Sequence, residues 1–310
     1  MQPAPAYIGR FAPSPTGPLH FGSLVAAVGS YLDARAARGI WRVRIEDVDL
    51  PRAVPGATDS ILRALEKFGL AWDGEVVCQS HRSALYRAAF ERLRDAGWVF
   101  ACACSRREVA DSGLAPDGAP RYPGTCRAGL PPGRSARAWR LRVEPGRVCF
   151  TDVLQGRICQ DVAAEVGDFV ILRADGLFAY QLAVVVDDAA QGITQVVRGA
   201  DLLDSTPRQI SLQRCLGLSQ PDYLHLPAAL NARGEKLSKQ TLARSIEARR
   251  PQDVLVAVLE FLGQAPPPDL AAAELDTLWH WAVAHWQRAR LPACRALRAR
   301  EEFSGKELPT

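Results

Sequence analysis

The stretch that most limits what this chain can fold into is Gly9-Arg-Phe-Ala-Pro-Ser-Pro-Thr-Gly-Pro-Leu-His-Phe-Gly-Ser-Leu24. Ile8 to Ala12 read as a short strand. Pro13, Pro15, Gly17 and Pro18 then exclude regular structure and make a tight loop. Leu24, Val25, Val28, Tyr31 and Leu32 recur at helical spacing, so a helix is expected from Leu19, with His20, Gly22 and Ser23 in its first turn. The N-terminus of a helix exposes N–H groups and a partial positive charge, which suit phosphate. Gly22 has no side chain to block a nucleotide lying against the backbone. His20 can donate a hydrogen bond to a phosphate oxygen as charge develops there.

The rest of the chain alternates strands and helices. Trp41 to Ile45 reads as a strand that ends in Glu46-Asp47-Val48-Asp49, and acidic residues at a strand's C-terminal end sit where α/β sheets bind ligands. Residues 58–69 and 81–96 read as amphipathic helices, and Val99 to Cys102 as the next strand. This order predicts a parallel, doubly wound sheet. Short strands are expected around Gly146 and Gly156. Asp168 to Arg173 is expected as a strand, Ala174-Asp-Gly176 as a turn, and Leu177 to Val186 as the returning strand. Val185-Val-Asp-Asp188 and Val196-Val-Arg-Gly-Ala-Asp201 then place charge at strand ends. A helix over 207–217 and a short strand from His225 to Leu230 follow. Asn231-Ala-Arg-Gly-Glu-Lys-Leu-Ser-Lys-Gln240 is a polar loop whose two lysines suit a mobile phosphate clamp. Lysine is scarce in this arginine-rich chain, which makes Lys236 and Lys239 stand out. Residues 253–263 and 270–287 read as helices either side of a Pro-rich break.

Residues 102–126 interrupt the alternation. Cys102-x-Cys104 is followed by a Gly/Pro-rich loop and Cys126, a segment too poor in apolar residues for a core of its own. Three thiols on one loop suggest zinc, which takes four ligands and could organise the segment. Asp117 and water are candidates for the fourth position. The chain has eight cysteines and shows no secretion signal, so thiols or metal are expected rather than disulfides.

The motif around His20 resembles the HIGH signature of class I aminoacyl-tRNA synthetases, closest to the glutamyl branch, where a Pro-Ser-Pro-Thr-Gly run precedes the histidine. Phe21 and Ser23 stand where the signature has isoleucine and the second histidine. Lys236-Leu-Ser-Lys239-Gln resembles the same family's KMSKS loop, and Arg44-Ile-Glu-Asp47 its Arg-Ile-Glu-Asp segment. The resemblance runs from about residue 8 to 263. It implies ATP-dependent activation of L-glutamate, and for the short paralogues of that branch activation without tRNA. Among the short paralogues of that branch it further implies transfer of glutamate to queuosine at the wobble position of tRNA(Asp), in the anticodon loop. His20, Lys236 and Lys239 would be catalytic. Arg10, Phe11, Ala12, Pro13, Ser14, Glu46, Tyr180 and Arg198 would hold glutamate, with Glu46 accepting its α-ammonium group. His20, Gly22, Ser23 and Lys239 would hold ATP with its Mg²⁺. The family's zinc segment has a tyrosine four residues before its last cysteine, which makes Tyr122 a fourth ligand beside Cys102, Cys104 and Cys126.

The expected architecture is therefore α/β. A doubly wound, Rossmann-like catalytic core spans 1–101 and 168–245. A zinc-bearing, acceptor-type insert spans 102–167, and a short helical region 246–310. Only about 70 residues follow the lysine loop, so no anticodon-binding domain is expected. Three other readings stay open: a conventional glutamyl-tRNA synthetase, truncated, that charges a 3′ end; a non-catalytic tRNA-binding paralogue; and a HIGH-type ligase for another small molecule. A net charge of +4 is compatible with nucleic acid without requiring it. No apolar run is long enough to span a membrane. A cytoplasmic monomer is the expectation.

Overall fold

The structure, a computed structural model, describes residues 7–49, 52–237, 246 and 248–303. Strand β1 (Ile8–Phe11) leads through the proline loop into helix α1 (Phe21–Ala36), then β2 (Ile40–Ile45), α2 (Ala57–Lys67), β3 (Val77–Cys78), α3 (Ser83–Asp95) and β4 (Val99–Cys102). The middle of the chain carries α4 (Arg106–Ala110), β5 (Ala138–Leu141), β6 (Arg147–Asp152), β7 (Gly156–Asp161), α5 (Val162–Glu165) and β8 (Val170–Leu172). Then come α6 (Tyr180–Ala190), β9 (Gln195–Gly199), α7 (Thr206–Leu216), β10 (Asp222–Leu226), β11 (Ala228–Leu230), α8 (Pro251–Phe261), α9 (Leu275–Ala284) and β12 (Ala296–Arg298).

β1, β2 and β3 run parallel, as do β6, β10 and β9. The two groups meet where the Thr194 N–H donates to the Ile8 carbonyl at 2.9 Å and the Ile8 N–H to Thr194 Oγ1 at 2.9 Å. This is the expected doubly wound sheet, with antiparallel additions: β7 on β6, and a separate β4-β5-β8 sheet. Helix α1 lies across the sheet. Its Leu24, Val28 and Leu32 are buried in one core with Trp41, Val43 and Ile45 of β2 and with Val254 and Val258 of α8. Burial on that scale contributes about 1.5–3 kcal/mol for each such side chain. A Cβ on Gly29 would stand 2.4 Å from Leu226 Cδ1, so the absence of a side chain there lets α1 approach β10 closely. A second core joins α3, α6 and α7. A small third one gathers Phe100, Cys102, Val109, Tyr122 and Cys126.

The structure corrects several expectations. Helix α1 starts at Phe21, and His20 is its N-cap rather than part of its first turn. The expected strand from Asp168 to Arg173 is ordered as a strand only over Val170–Leu172. The expected return from Leu177 to Val186 is mostly helix: only Phe178 bridges back to Leu172, and α6 begins at Tyr180. Leu182 to Val186 are all buried, and a short, wholly buried apolar run has no periodicity to tell strand from helix. Asp187 and Asp188 consequently sit inside a helix, not at a strand end. Pro227 splits the expected strand from His225 to Leu230 into β10 and β11. The expected helix over 270–287 is a 3₁₀ turn at Pro268–Ala272 followed by α9. Cys149 and Cys159 form a disulfide, against the expectation of none. They face each other in register across β6 and β7, a juxtaposition that only strand pairing reveals.

Candidate active site

The ends of β1, β2, β9 and β10 and the start of α1 enclose a cleft of about 200 Å³. Of the residues singled out in the sequence, Arg10, Phe11, Ala12, His20, Gly22, Ser23, Glu46, Tyr180, Arg198 and Lys236 all line it. Pro13 and Ser14 do not. The Pro13 carbonyl accepts the Glu46 N–H at 2.9 Å, and Ser14 lines an adjoining cavity. Lys239 lies outside the described residues.

One wall is built of buried charge. Arg10 binds Asp188 through Nε at 3.1 Å and Nη2 at 3.2 Å. Arg44 is fully buried and donates to Asp188 at 2.7 Å, to Gln191 at 2.8 Å and to Glu46 at 3.1 Å. Behind them Asp187 accepts from Gln79 at 2.7 Å, Arg82 at 2.5 Å and Tyr86 at 2.7 Å. Burial pushes the Asp188 carboxyl upward, but Arg10 and Arg44 outweigh it and hold it below its ordinary value. For Glu46 burial wins over the same two cations, and its pKa is raised. Burial likewise raises the Tyr180 phenol, with Glu46 adding to the effect.

Arg198 is held differently. Its Nε donates to His225 Nε2 at 3.0 Å, and its Nη2 to Thr206 at 2.8 Å and Gln209 at 2.9 Å. Its Nη1 is buried and makes no hydrogen bond among the described residues. On its far side His225 meets Asp152 through Nδ1 at 2.6 Å. Because Nε2 accepts from Arg198, the Nδ1 proton is the one given to Asp152. Burial and Arg198 drive the His225 pKa down to about 4 against the pull of Asp152, so the ring is neutral at pH 7.

The opposite wall is the helix start and the lysine loop. His20 Nδ1 accepts the Ser23 N–H at 3.3 Å, which puts the proton of the neutral ring on Nε2, the atom able to donate to phosphate. A Cβ at Gly22 would stand 3.3 Å from the His20 ring and 3.4 Å from the Leu237 carbonyl. Glycine thus keeps this corner open between the histidine and the loop. Asn231 Oδ1 accepts from the N–H groups of Arg233 and Glu235, both at 2.9 Å, which shapes the turn before Lys236. Lys236 is half exposed and ion-paired with Asp201.

In the insert, the sulfurs of Cys102, Cys104 and Cys126 lie within 4.8 Å of one another. Cys104 and Cys126 are 3.7 Å apart, close to the edge of about 3.8 Å that a tetrahedron with Zn–S bonds of about 2.3 Å would give. The Tyr122 hydroxyl is 3.5 Å from the Cys102 sulfur and accepts the Cys126 N–H at 2.8 Å. This donor set fits zinc. Burial pushes the Cys104 thiol up to about 11. Burial acts the same way on Cys102, but its hydrogen bonds with Tyr122 and Arg140 outweigh it and lower that thiol. Asp117 is engaged elsewhere, with Arg208 at 2.5 Å and the Ala119 N–H at 3.1 Å, and is not part of the cluster.

Sequence reading missed Arg44, Asp187, Asp188 and Asp152. In the sequence Arg44 stands out only as part of the Arg-Ile-Glu-Asp segment; it alternates with apolar neighbours as a solvent-facing strand residue would, and only its place two residues before Glu46 hints at a role in the site. The two aspartates were visible as acids beside an apolar run, but their helical setting was not.

Residues 8–265 match the family described as tRNA synthetases class I (E and Q), catalytic domain. A protein of Aromatoleum aromaticum named glutamyl-Q tRNA(Asp) synthetase is 62% identical over 97% of this chain and 98% of its own. One of that name from Geobacter sulfurreducens is 54% identical over 95% of this chain and 96% of its own. Among solved structures, a glutamate tRNA ligase from Elizabethkingia meningosepticum in complex with its amino acid shares the fold at TM-score 0.77 and 24% identity, over 96% of this chain and 68% of that one.

Proposed function

The chain belongs to the class I tRNA synthetase (E and Q) catalytic-domain family, a family of ligases, and from the names of its near-full-length relatives we propose that it activates L-glutamate with ATP in the absence of tRNA and passes the glutamyl group to queuosine in tRNA(Asp). Glutamate activation and tRNA modification follow the name carried by its relatives. The observation that supports the glutamate pocket most directly is Arg198 Nη1, a buried donor on the wall of the cleft that has no partner among the described residues. A substrate carboxylate is the acceptor that suits it, and the planar guanidinium suits carboxylate better than an ammonium would. Arg10, with Nε and Nη2 committed to Asp188, has Nη1 for the same purpose. Glu46 takes the α-ammonium group.

A glutamate carboxylate oxygen then attacks the α-phosphorus, the bond to pyrophosphate breaks, and glutamyl-adenylate forms. ATP brings Mg²⁺, which screens the phosphate charge. Nε2 of His20 and the N-terminal N–H groups of α1 face the charge that develops, and Lys236 and Lys239 stabilise pyrophosphate as it leaves. In the second step a hydroxyl of the queuosine cyclopentene ring bonds to the acyl carbon. The acyl–phosphate bond breaks, and AMP departs with the hydroxyl proton. Cys102, Cys104, Cys126 and Tyr122 would hold one zinc ion per chain, which would cross-link a loop that has little core of its own. Elemental analysis should find that zinc, and Tyr122→Phe should weaken its retention against a chelator.

The test is ATP–pyrophosphate exchange with glutamate and no tRNA, followed by transfer of labelled glutamate to isolated anticodon stem-loops. Exchange with glutamate well above that with aspartate or glutamine is expected, as is labelling of the queuosine stem-loop but not its guanosine counterpart. Labelling only of full-length tRNA with an intact 3′ adenosine would identify a conventional charging enzyme instead.

A further inference from the structure

Beside the cleft lies a second, larger cavity of about 670 Å³. The two share Glu46 and Tyr180 as a common wall, so a group seated in the second cavity borders the place where the glutamyl group is activated. Its charges are unequal. Asp49 is neutralised by Arg52 at 2.6 Å and Arg173 at 2.7 Å. Glu46 is tied to Arg44. Asp47 differs from both. It accepts the Ser80 N–H at 2.8 Å and the Ser80 hydroxyl at 2.7 Å. Those donors are neutral, and Asp47 makes no ion pair among the described residues.

A second acceptor stands on the same lining. Gln79 is only 2% exposed, and its Nε2 is fixed on the Asp187 carboxylate at 2.7 Å. A carboxylate can only accept, so the amide orientation is set. Gln79 Oε1 accepts no hydrogen bond from the described residues. A carboxylate held by neutral donors and the amide oxygen of a glutamine that is itself almost wholly buried, both on the lining of this cavity, together ask for a ligand rich in donors and positively charged.

We infer that this cavity is the seat of the acceptor's amine and ring hydroxyls, with Asp47 as the anion that pairs with the amine. The inference rests on the queuosine reading above. The nitrogen joining the cyclopentene ring to the base is a secondary alkylamine, cationic at neutral pH, and it lies within a few bonds of the hydroxyl that must reach the acyl carbon. Adjacent residues thereby divide two ammonium groups between two cavities: Glu46 takes that of glutamate, and Asp47 that of the acceptor. The device selects against guanosine twice, since guanosine lacks both the hydroxyl and the charge.

The experiment uses the full chain and queuosine-bearing anticodon stem-loops. Asp47→Asn keeps the size of the side chain and an oxygen for the Ser80 N–H. It should lower kcat/KM for transfer about ten- to hundredfold, the scale of one charge-assisted hydrogen bond, while glutamate-dependent exchange stays within about twofold. Asp47→Glu should restore part of the loss. A stem-loop whose ring amine has been N-acetylated should be a poor acceptor for the parent enzyme, and the Asp47→Asn variant should discriminate against it less. Transfer at the parent rate by Asp47→Asn, or equal losses in exchange and transfer, would overturn the assignment. Failure of the parent enzyme to label any queuosine stem-loop would instead sink the reading beneath it.

Discussion

The two walls of the cleft are built on opposite principles. On the glutamate side, Arg10, Arg44, Glu46, Asp187 and Asp188 are buried and locked to one another. On the side proposed for phosphate, Lys236 is half exposed just after a turn, where it bridges Leu230, and its salt bridge to Asp201 is open to water. A buried charge without partners is expensive, so the first wall must be complete before substrate arrives. An exposed pair contributes little to stability and is easily exchanged for a phosphate. On the proposed function, a small fixed substrate group would be met by the preorganised wall, and the departing pyrophosphate by an exposed charge that exchanges partners easily.

The largest effect should come from breaking the first wall at its centre. Arg44→Met removes the cation shared by Asp188 and Glu46 and leaves Glu46 buried without its partner. A loss of about 3–5 kcal/mol in stability is expected, read from the urea midpoint at constant m. A change below about 1 kcal/mol would mean the wall is not preorganised by that charge. Arg198→Lys is next. It keeps the charge but loses the fork that binds His225, Thr206 and Gln209, so KM for glutamate should rise about a hundredfold with kcat less affected. An unchanged KM would remove Arg198 from the pocket.

His225 shows why part of this wall was legible in the sequence and part was not. The strand–loop–helix around His20, the order of most elements and the convergence of Arg10, Glu46, Tyr180 and Arg198 could all be read from residues and resemblance, because punctuating prolines and spaced apolar residues have local causes. Arg44, Asp152, Asp188 and the Cys149–Cys159 pair depend on which strand lies beside which, and on helices covering both faces of the sheet. Alternation in Trp41-Arg-Val-Arg-Ile45 says only that two faces differ, not that both are buried. His225 is buried and tied to Asp152, and it is also what aims Arg198. A prediction follows from its pKa of about 4. Between the ordinary value near 6.5 and about 4, the unfolded chain takes up a proton that the folded chain refuses, so stability falls with falling pH by up to about 1.4 kcal/mol per unit from this group. His225→Gln should flatten that part of the profile and raise KM for glutamate about tenfold. A profile as steep as the parent's would show that the acid sensitivity comes from elsewhere.

The smallest effect should separate the two walls most clearly. Lys236→Ala removes an exposed ammonium and releases Asp201, so folding stability should change by less than about 1 kcal/mol. Turnover in exchange should fall about tenfold at low ionic strength, because one of the charges facing the leaving pyrophosphate is gone. An exposed lysine acts through water and is screened by salt, with a Debye length near 10 Å at 0.1 M and about 3 Å at 1 M. The gap between parent and variant should therefore narrow as salt is raised. The Arg198→Lys defect, set in a buried pocket, should keep its size over the same range. If both defects shrink together, the glutamate wall is as open to solvent as the loop, and the contrast between them fails. If neither shrinks, the lysine loop closes over the nucleotide tightly enough to exclude water, and Lys236 belongs with the buried charges once ATP is bound.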